Sequence, residues 1–176
     1  MLSGVGQEWD TAMKNLWAPW RMDYILGEKP EGCVFCIPKR ADARDDEKRL
    51  VVYRSGLVFV MLNRYPYAAG HLMVIPYRHL TDITELSPEE AEDFMAVTAL
   101  CCRVLRQASN PEGINLGVNL GKAAGAGIKD HLHQHVVPRW NGDSSFIAVM
   151  DEIRVIPEHL TATWRKLRPL FAELAG

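Results

Sequence analysis

Histidine occupies every second position at His131, His133 and His135, and the residues between and after them are leucine, glutamine and valine. Successive side chains of a β-strand point to opposite faces, so this spacing predicts a strand with three imidazole rings on one face. Converging imidazoles suit a metal site or a catalytic group, and the spacing alone also allows a polar strand that faces solvent. In each case the segment is predicted to belong to a sheet.

The pattern along the chain predicts an α+β fold with an antiparallel sheet of about five strands. Short runs rich in β-branched and aromatic residues alternate with turns that contain glycine, proline or asparagine. These runs predict strands at 50–53, 57–62, 71–75, 114–120 and 131–137.

Two helices are predicted, and the longer one is expected to pack on one face of the sheet. Ser87 and Glu90 form a capping box ahead of an apolar stripe, which ends at Asn110. A C-terminal helix is predicted at 157–174. The charged segment 38–49 is predicted to be a solvated loop.

Length and composition narrow the class of protein. A chain of 176 residues with 48% hydrophobic residues can bury the core of one domain, which we expect to span residues 1–176. A net charge of -2 with interspersed charges gives no electrostatic reason to bind nucleic acid or an anionic membrane. The start lacks the pattern of a signal peptide, and no apolar stretch approaches membrane length, so we expect a soluble cytoplasmic protein.

The four cysteines form two close pairs, which favours a reducing compartment. Cys33 and Cys36 have the spacing of a zinc knuckle, but two thiolates do not complete a tetrahedral site. A thioredoxin-type redox pair is the competing interpretation, and it lacks a following helix signal. Cys101 and Cys102 lie in the long helix and are expected to pack in the core.

A glycine-rich turn at 117–127 precedes the three histidines. Glycine lets backbone amides approach phosphate oxygens, yet the ending of a P-loop is missing, so an ordinary connecting loop fits the composition equally well. Lys122 in this turn is expected to be solvated. Asn63 fits a turn-forming residue, and His159 fits a surface helix position.

Together with their surroundings, the three histidines resemble the histidine-triad family. That family has three histidines alternating with apolar residues, and a fourth histidine on an earlier strand after a turn with proline and glycine. Here His71 follows such a turn at 65–70, the triad continues through 136–140, and the resemblance covers roughly residues 33–140. Gln134 stands where the family has an apolar residue, and it is expected to point away from the rings.

The resemblance implies that the middle histidine, His133, attacks the α-phosphorus and forms a covalent nucleotidyl-histidine. A neutral His133 would need a neighbour, such as a backbone carbonyl, to hold the proton on its other ring nitrogen. His71 and His135 are expected to contact phosphate oxygens or the leaving group in their protonated forms. We also expect His133 to be exposed, so that its removal leaves the fold intact.

The resemblance also implies substrate-binding residues. Asn63 would bind the ribose hydroxyls and Asn119 a phosphate, while Gly127 stands where the family carries a hydroxyl or amide. Trp140 could stack on a base, with an aromatic plug at a surface as the alternative. Together with Trp140, the segment 16–24 is similar to the bacterial diadenosine tetraphosphate phosphorylase branch of the family.

For the cysteine pair, the resemblance implies His79 and His131 as the two missing ligands. The result would be a Cys2His2 zinc site. Four protein ligands leave no open position for a water, so the zinc would be structural.

The activity implied by the resemblance is cleavage of dinucleoside polyphosphates such as diadenosine tetraphosphate, with phosphate or water as the acceptor. A divalent cation such as Mg²⁺ is expected to accompany the substrate. Family members form dimers with a shared sheet, which implies a homodimer. The alternatives are a nucleoside phosphoramidate hydrolase and a non-catalytic nucleotide-binding sensor.

Overall fold

Five antiparallel strands form a sheet in the computed structural model, which describes residues 32–125, 128, 130–143 and 158–176. The strands are β1 (Val51–Arg54), β2 (Val58–Leu62), β3 (Leu72–Pro76), β4 (Gly113–Val118) and β5 (Gln134–Arg139). Their spatial order is β1-β2-β3-β5-β4, with β4 at one edge. The predicted α+β class and the antiparallel five-stranded sheet are confirmed.

Three α-helices accompany the sheet in the described residues: α1 (Ala43–Arg49), α2 (Pro88–Ser109) and α3 (Leu160–Leu174). The capping box of α2 is confirmed, because Ser87 Oγ accepts from the Glu90 backbone N–H at 3.2 Å and the Glu90 carboxylate accepts from the Ser87 N–H at 2.9 Å. Asn110 follows the helix as its C-cap and adopts a left-handed conformation with φ of 43°.

Helix α1 lies in the segment 38–49, so the prediction of a loop there was wrong. Asp42 caps the helix by accepting from the Asp45 N–H at 2.8 Å. Acidic residues in the first turn and basic residues in the last turn complement the helix dipole. Asp46 is buried and pairs with Arg54 of β1 at 2.7 Å, so a charged residue that suggested solvent instead holds α1 to the sheet.

Two predicted boundaries also differ from the structure. Helix α3 begins at Leu160, with His159 as its N-cap, and residue 157 lies outside the described residues. Strand β5 begins at Gln134, three residues after the predicted start at His131. The glycine-rich turn takes up the end of the predicted fourth strand, so β4 stops at Val118.

The two faces of the sheet bury different clusters. One face packs against α2 and α3 and includes Val60, Val74 and Val136 from three neighbouring strands. The buried Cys101 belongs to this cluster and the half-buried Cys102 packs against it, which confirms the predicted core role of the pair. The opposite face carries a smaller cluster, formed by Phe35, Val51, Phe59, Met73 and Ile75.

The smaller cluster marks the face on which the histidines lie. Met73 of β3 is paired with His135 of β5, so their side chains share that face. Phe35 comes from the turn between Cys33 and Cys36, which covers the same side of the sheet. Within the part of the chain that the structure describes, no helix has the length and hydropathy to span a membrane.

Candidate active site

The backbone determines the tautomer of His133. Its Nδ1 lies 2.8 Å from the backbone carbonyl oxygen of His131, and because a carbonyl can only accept, Nδ1 carries the proton. In the neutral ring the lone pair is therefore on Nε2. The predicted role of a backbone carbonyl is confirmed, and Nε2 is the atom available as a nucleophile.

The side chain of His133 is buried, with 6% of its surface exposed, so the expectation of an exposed nucleophile was wrong. The ring of Phe35 lies beside it, with 5.2 Å between ring centroids. The turn that carries Phe35 folds over the residues just before β5. Replacement of His133 therefore removes packing as well as chemistry.

His71 and His135 form a hydrogen-bonded pair next to His133. His71 Nε2 lies 2.9 Å from His135 Nδ1, and the rings of His133 and His135 are 5.0 Å apart between centroids. The structure thus brings together the three histidines that the sequence assigned to chemistry.

Burial keeps His135 neutral. Loss of solvation, and to a smaller extent the charge of His133, lowers the pKa of His135 from 6.5 to about 4. His135 is therefore neutral in the ligand-free protein at neutral pH, and the protonated form expected against bound substrate stays a prediction. In this state the ring can offer a neutral N–H donor to a phosphate oxygen.

His131 serves a different site from the other two members of the triad. Its Nδ1 lies 3.2 Å from Cys33 Sγ and 3.8 Å from Cys36 Sγ. His131 and His133 precede β5, so the prediction that all three histidines lie in one strand was wrong, and only His135 does. The ring of Phe35 contacts both His131 and His133, but only His131 also contacts the thiols of the cysteine turn.

Cys33, Cys36, His79 and His131 form a cluster whose ligand atoms all lie within 4.8 Å of one another. His131 Nε2 is 2.9 Å from the Pro76 carbonyl, so Nε2 donates and Nδ1 keeps a lone pair toward the thiols. Bonds of about 2.3 Å to sulfur and 2.0 Å to nitrogen place tetrahedral ligands roughly 3.3–3.8 Å apart. The predicted four residues therefore fit a metal ion.

The charge balance of this cluster also suits a cation. Burial, with smaller contributions from Cys33, raises the pKa of the Cys36 thiol. A bound cation provides the opposite charge that makes thiolates favourable at neutral pH.

Gln134 points away from the rings, as expected, and contacts α2. Its Oε1 position lies 2.7 Å from Thr98 Oγ1, which is also 2.7 Å from the Phe94 carbonyl. A hydroxyl has one hydrogen, and the carbonyl can only accept, so we assign the hydroxyl as donor to Phe94 and the Gln134 amide nitrogen as donor to Thr98. The unusual glutamine is thus satisfied inside the core.

The structure gives the surroundings of three of the predicted substrate-binding residues. Asn63 Oδ1 accepts from the Tyr65 N–H at 2.9 Å, which shows the turn role, and the Asn63 N–H donates to the His71 carbonyl at 3.0 Å. Asn119 is half-buried and follows β4, whose last residue pairs with Gln134. Trp140 is half-buried directly after β5, and Lys122 is exposed as expected.

Two further predictions concern residues for which the structure gives no description. Gly127 and the segment 16–24 lie outside the described residues. Residues 1–31 and 144–157 lie outside them too, so a single domain over 1–176 stays a prediction.

Sequence reasoning missed two residues that contact the histidines predicted to be catalytic. Phe35 packs against His133, and Tyr67 packs against His71 and His135. The position of Tyr67 in the turn before the fourth histidine was a usable signal. Phe35 gave none, because its contact spans about a hundred residues of chain.

The fold and the site define a class of protein. The family model described as "HIT domain" matches residues 44–142, and the chain belongs to this histidine-triad family.

Similar proteins agree with this assignment. A relative named AP-4-A phosphorylase from Mycobacterium tuberculosis is 41% identical over 174 residues, covering 93% of this chain and 86% of the relative. A solved structure of a zinc-bound histidine triad family protein from Mycobacterium smegmatis has a TM-score of 0.59 and 34% identity, covering 72% of this chain and 86% of that chain. A hypothetical histidine triad nucleotide-binding protein from Sulfolobus tokodaii has a TM-score of 0.59 and 26% identity, covering 81% and 91%.

Proposed function

We propose that this protein cleaves a phosphoanhydride bond of dinucleoside polyphosphates such as diadenosine tetraphosphate, through a nucleotidyl intermediate on His133. The observation that carries the proposal is the tautomer of His133, whose Nδ1 proton is held by the His131 carbonyl at 2.8 Å. A relative of 41% identity is named AP-4-A phosphorylase, which supports the substrate class.

In the first step, the lone pair of His133 Nε2 forms a bond to the α-phosphorus. The bond from phosphorus to the bridging oxygen breaks, and that oxygen leaves with the bonding electrons as part of a nucleotide. As the P–N bond forms, the imidazole gains positive charge, and the His131 carbonyl on Nδ1 stabilises it. His135 Nε2–H donates a hydrogen bond to a phosphate or leaving-group oxygen.

In the second step, an acceptor oxygen attacks the phosphorus, and the P–N bond breaks with its electrons returning to His133 Nε2. Inorganic phosphate as acceptor converts an adenylyl group to ADP, and water converts it to AMP. The name of the M. tuberculosis relative favours phosphate.

Four residues complete the proposed substrate site. Asn63 would bind the ribose hydroxyls, with its turn contact to Tyr65 holding the side chain in one orientation. Asn119 and the backbone at Gly127 would bind phosphate, and Trp140 would stack on a base. A divalent cation such as Mg²⁺ would travel with the polyphosphate.

We propose that the metal of the cysteine-histidine cluster is zinc. Two thiolates and two imidazoles are a donor set that zinc prefers, and a zinc-bound family member of 34% identity supports the choice. The four ligands close the coordination sphere, so the zinc would hold the cysteine turn in place. Because the ligands act as thiolates, a cytoplasmic, reducing location suits the protein.

We propose a homodimer with a shared sheet. Strand β4 lies at the sheet edge, and its residues are exposed or half-exposed. Leu116 is 49% exposed in this strand, and a second copy would cover it and pair the open edge. Gel filtration with light scattering tests the assembly.

The decisive experiment incubates the purified protein with diadenosine tetraphosphate and Mg²⁺, with and without inorganic phosphate, and separates the products by chromatography. We expect ADP and ATP only when phosphate is present. AMP and ATP would indicate a hydrolase. Tight binding without cleavage of this substrate or of a nucleoside phosphoramidate would contradict the proposal and favour a sensor.

A further inference from the structure

Tyr67 lies in the turn between β2 and β3 and contacts both histidines that accompany the nucleophile. Its ring centroid is 4.7 Å from that of His71 and 5.7 Å from that of His135, with interplanar angles of 34° and 37°. The side chain is 49% exposed, so one part of the ring covers the imidazoles while another part meets solvent. No role of Tyr67 follows from the reaction steps described above.

The backbone of Tyr67 sets the direction of a hydrogen-bond chain. The Tyr67 N–H donates to His71 Nδ1 at 3.0 Å. An amide nitrogen can only donate, so His71 Nδ1 must hold a lone pair, and the proton of neutral His71 is on Nε2.

The next link follows from the first. His71 Nε2 lies 2.9 Å from His135 Nδ1, and because His71 Nε2 carries the proton, His135 Nδ1 accepts. Neutral His135 then has its proton on Nε2. The chain therefore runs in one direction, from the Tyr67 amide through two imidazoles to the Nε2–H of His135.

We propose that Tyr67 is a positioning residue with two parts. Its backbone N–H acts through His71 to hold His135 as a donor at Nε2, and its ring shields the two imidazoles from water. This proposal rests on the proposed function for its catalytic meaning. A donor at His135 Nε2 matters because His133 and His135 are neighbours, so a phosphate oxygen near one ring is in reach of the other.

The state of His135 in the structure agrees with this role. Its pKa is lowered to about 4, with burial as the main cause and His133 as the second. Among the described residues, the rings in contact with His135 are those of His71, His133 and Tyr67, and Met73 on β3 is its cross-strand neighbour. Of these three rings, that of Tyr67 is the exposed one, so its removal would admit water to His135.

The test compares Tyr67→Ala with Tyr67→Phe, which keeps the ring. Nitrogen-15 NMR of the histidine rings reports the tautomer and the pKa of His135, and steady-state kinetics with diadenosine tetraphosphate reports kcat and KM. We expect Tyr67→Phe to retain the Nε2–H form of His135 and a kcat within about twofold of the wild type. In Tyr67→Ala the backbone N–H remains, so we expect the Nε2–H form of His135 to be retained. Loss of the ring should shift the His135 pKa upward toward 6.5 and lower kcat about tenfold with little change in KM.

Two outcomes would overturn the proposal. One is a wild-type His135 whose proton is on Nδ1, or a Tyr67→Ala protein in which the His135 pKa matches the wild type. The other is an effect on KM alone, which would make Tyr67 a substrate contact. If the wild type cleaves nothing, the proposed function fails, and the NMR comparison still decides the role of Tyr67. Because the side chain is half-exposed, both variants are expected to fold, and thermal unfolding checks this.

Discussion

At the scale of single residues, the site depends on which nitrogen of each imidazole carries a proton. Backbone groups decide this for three rings, since the carbonyls of His131 and Pro76 and the amide of Tyr67 each bind one ring nitrogen. The result is a lone pair on His133 Nε2 and another on His131 Nδ1. His133 Nε2 is available to form a bond, and His131 Nδ1 is directed toward the cysteine-histidine cluster.

The first residue-scale prediction concerns His133→Asn. The asparagine amide can donate to the His131 carbonyl as Nδ1 does, but it has no nucleophilic nitrogen. We expect kcat for diadenosine tetraphosphate cleavage to fall at least about 1000-fold. Because His133 is buried, we also expect a stability loss of about 1–2 kcal/mol, measured by urea unfolding.

The matched control is His159→Asn. His159 caps α3 outside the site, with Nδ1 accepting from the Thr161 N–H, and asparagine caps helices well. This control should keep wild-type activity. A His133→Asn protein with full turnover would rule out the covalent intermediate on this residue.

At the scale of elements, side chains that join helices to the sheet orient the site. Glu90 in the first turn of α2 caps the helix and binds Arg78 through both carboxylate oxygens, at 2.9 and 2.7 Å. Arg78 directly precedes His79, which belongs to the cysteine-histidine cluster. The capping box therefore also anchors the segment that follows β3.

This arrangement predicts how stability depends on pH. The Arg78 hydrogen bonds, followed by the Ser87 N–H, lower the pKa of Glu90 from 4.5 to about 2. A carboxyl with a lowered folded pKa stabilises the protein above its unfolded pKa, and this contribution is lost as the pH falls from about 4.5 to 2.

We expect Glu90→Gln to lower the melting temperature at pH 7 by about 2–4 °C, measured by scanning calorimetry, and to flatten the fall in stability between pH 5 and about pH 2. Glu92→Gln on the exposed side of the same helix is the control, and it should change neither. An unchanged pH profile in Glu90→Gln would show that this pair does not stabilise the fold.

At the scale of the whole molecule, the cysteine-histidine cluster joins three distant parts of the chain. The cysteine turn contacts His79, 43 residues away, and His131, 98 residues away. The same turn brings Phe35 onto His133. A bound metal would therefore stabilise both the tertiary structure and the surroundings of the nucleophile.

We expect the purified protein to contain about one zinc per chain, measured by mass spectrometry of the metal. A strong chelator should lower the melting temperature by more than about 5 °C, because the folded state alone presents all four ligands. Cys33→Ser should lose the zinc, whereas Cys102→Ser should keep it. A metal-free preparation that is folded and indifferent to the chelator would refute the ligand set.

Local patterns in the sequence were sufficient for much of the fold. The capping box at Ser87 and Glu90 marks the start of α2, and alternation of apolar residues marks the strands, because hydrogen bonding and burial within one element depend on near neighbours. Helix α1 was missed because its stabilising contact comes from outside the element. Asp46 looks solvated until Arg54 is placed beside it.

The sequence by itself determined the candidate residues: the five histidines that can do chemistry or bind metal, and the cysteine pair. The family resemblance already assigned His131 to the metal ligands, and the tertiary structure supplied the physical reason, since Cys33 and Pro76 each contact one nitrogen of the His131 ring. It also decided the burial of His133 and the neutral state of His135. The burial of His133 by Phe35 and the contact of His135 with His71 depend on partners far away in the chain, and a one-dimensional pattern contains no distances between them.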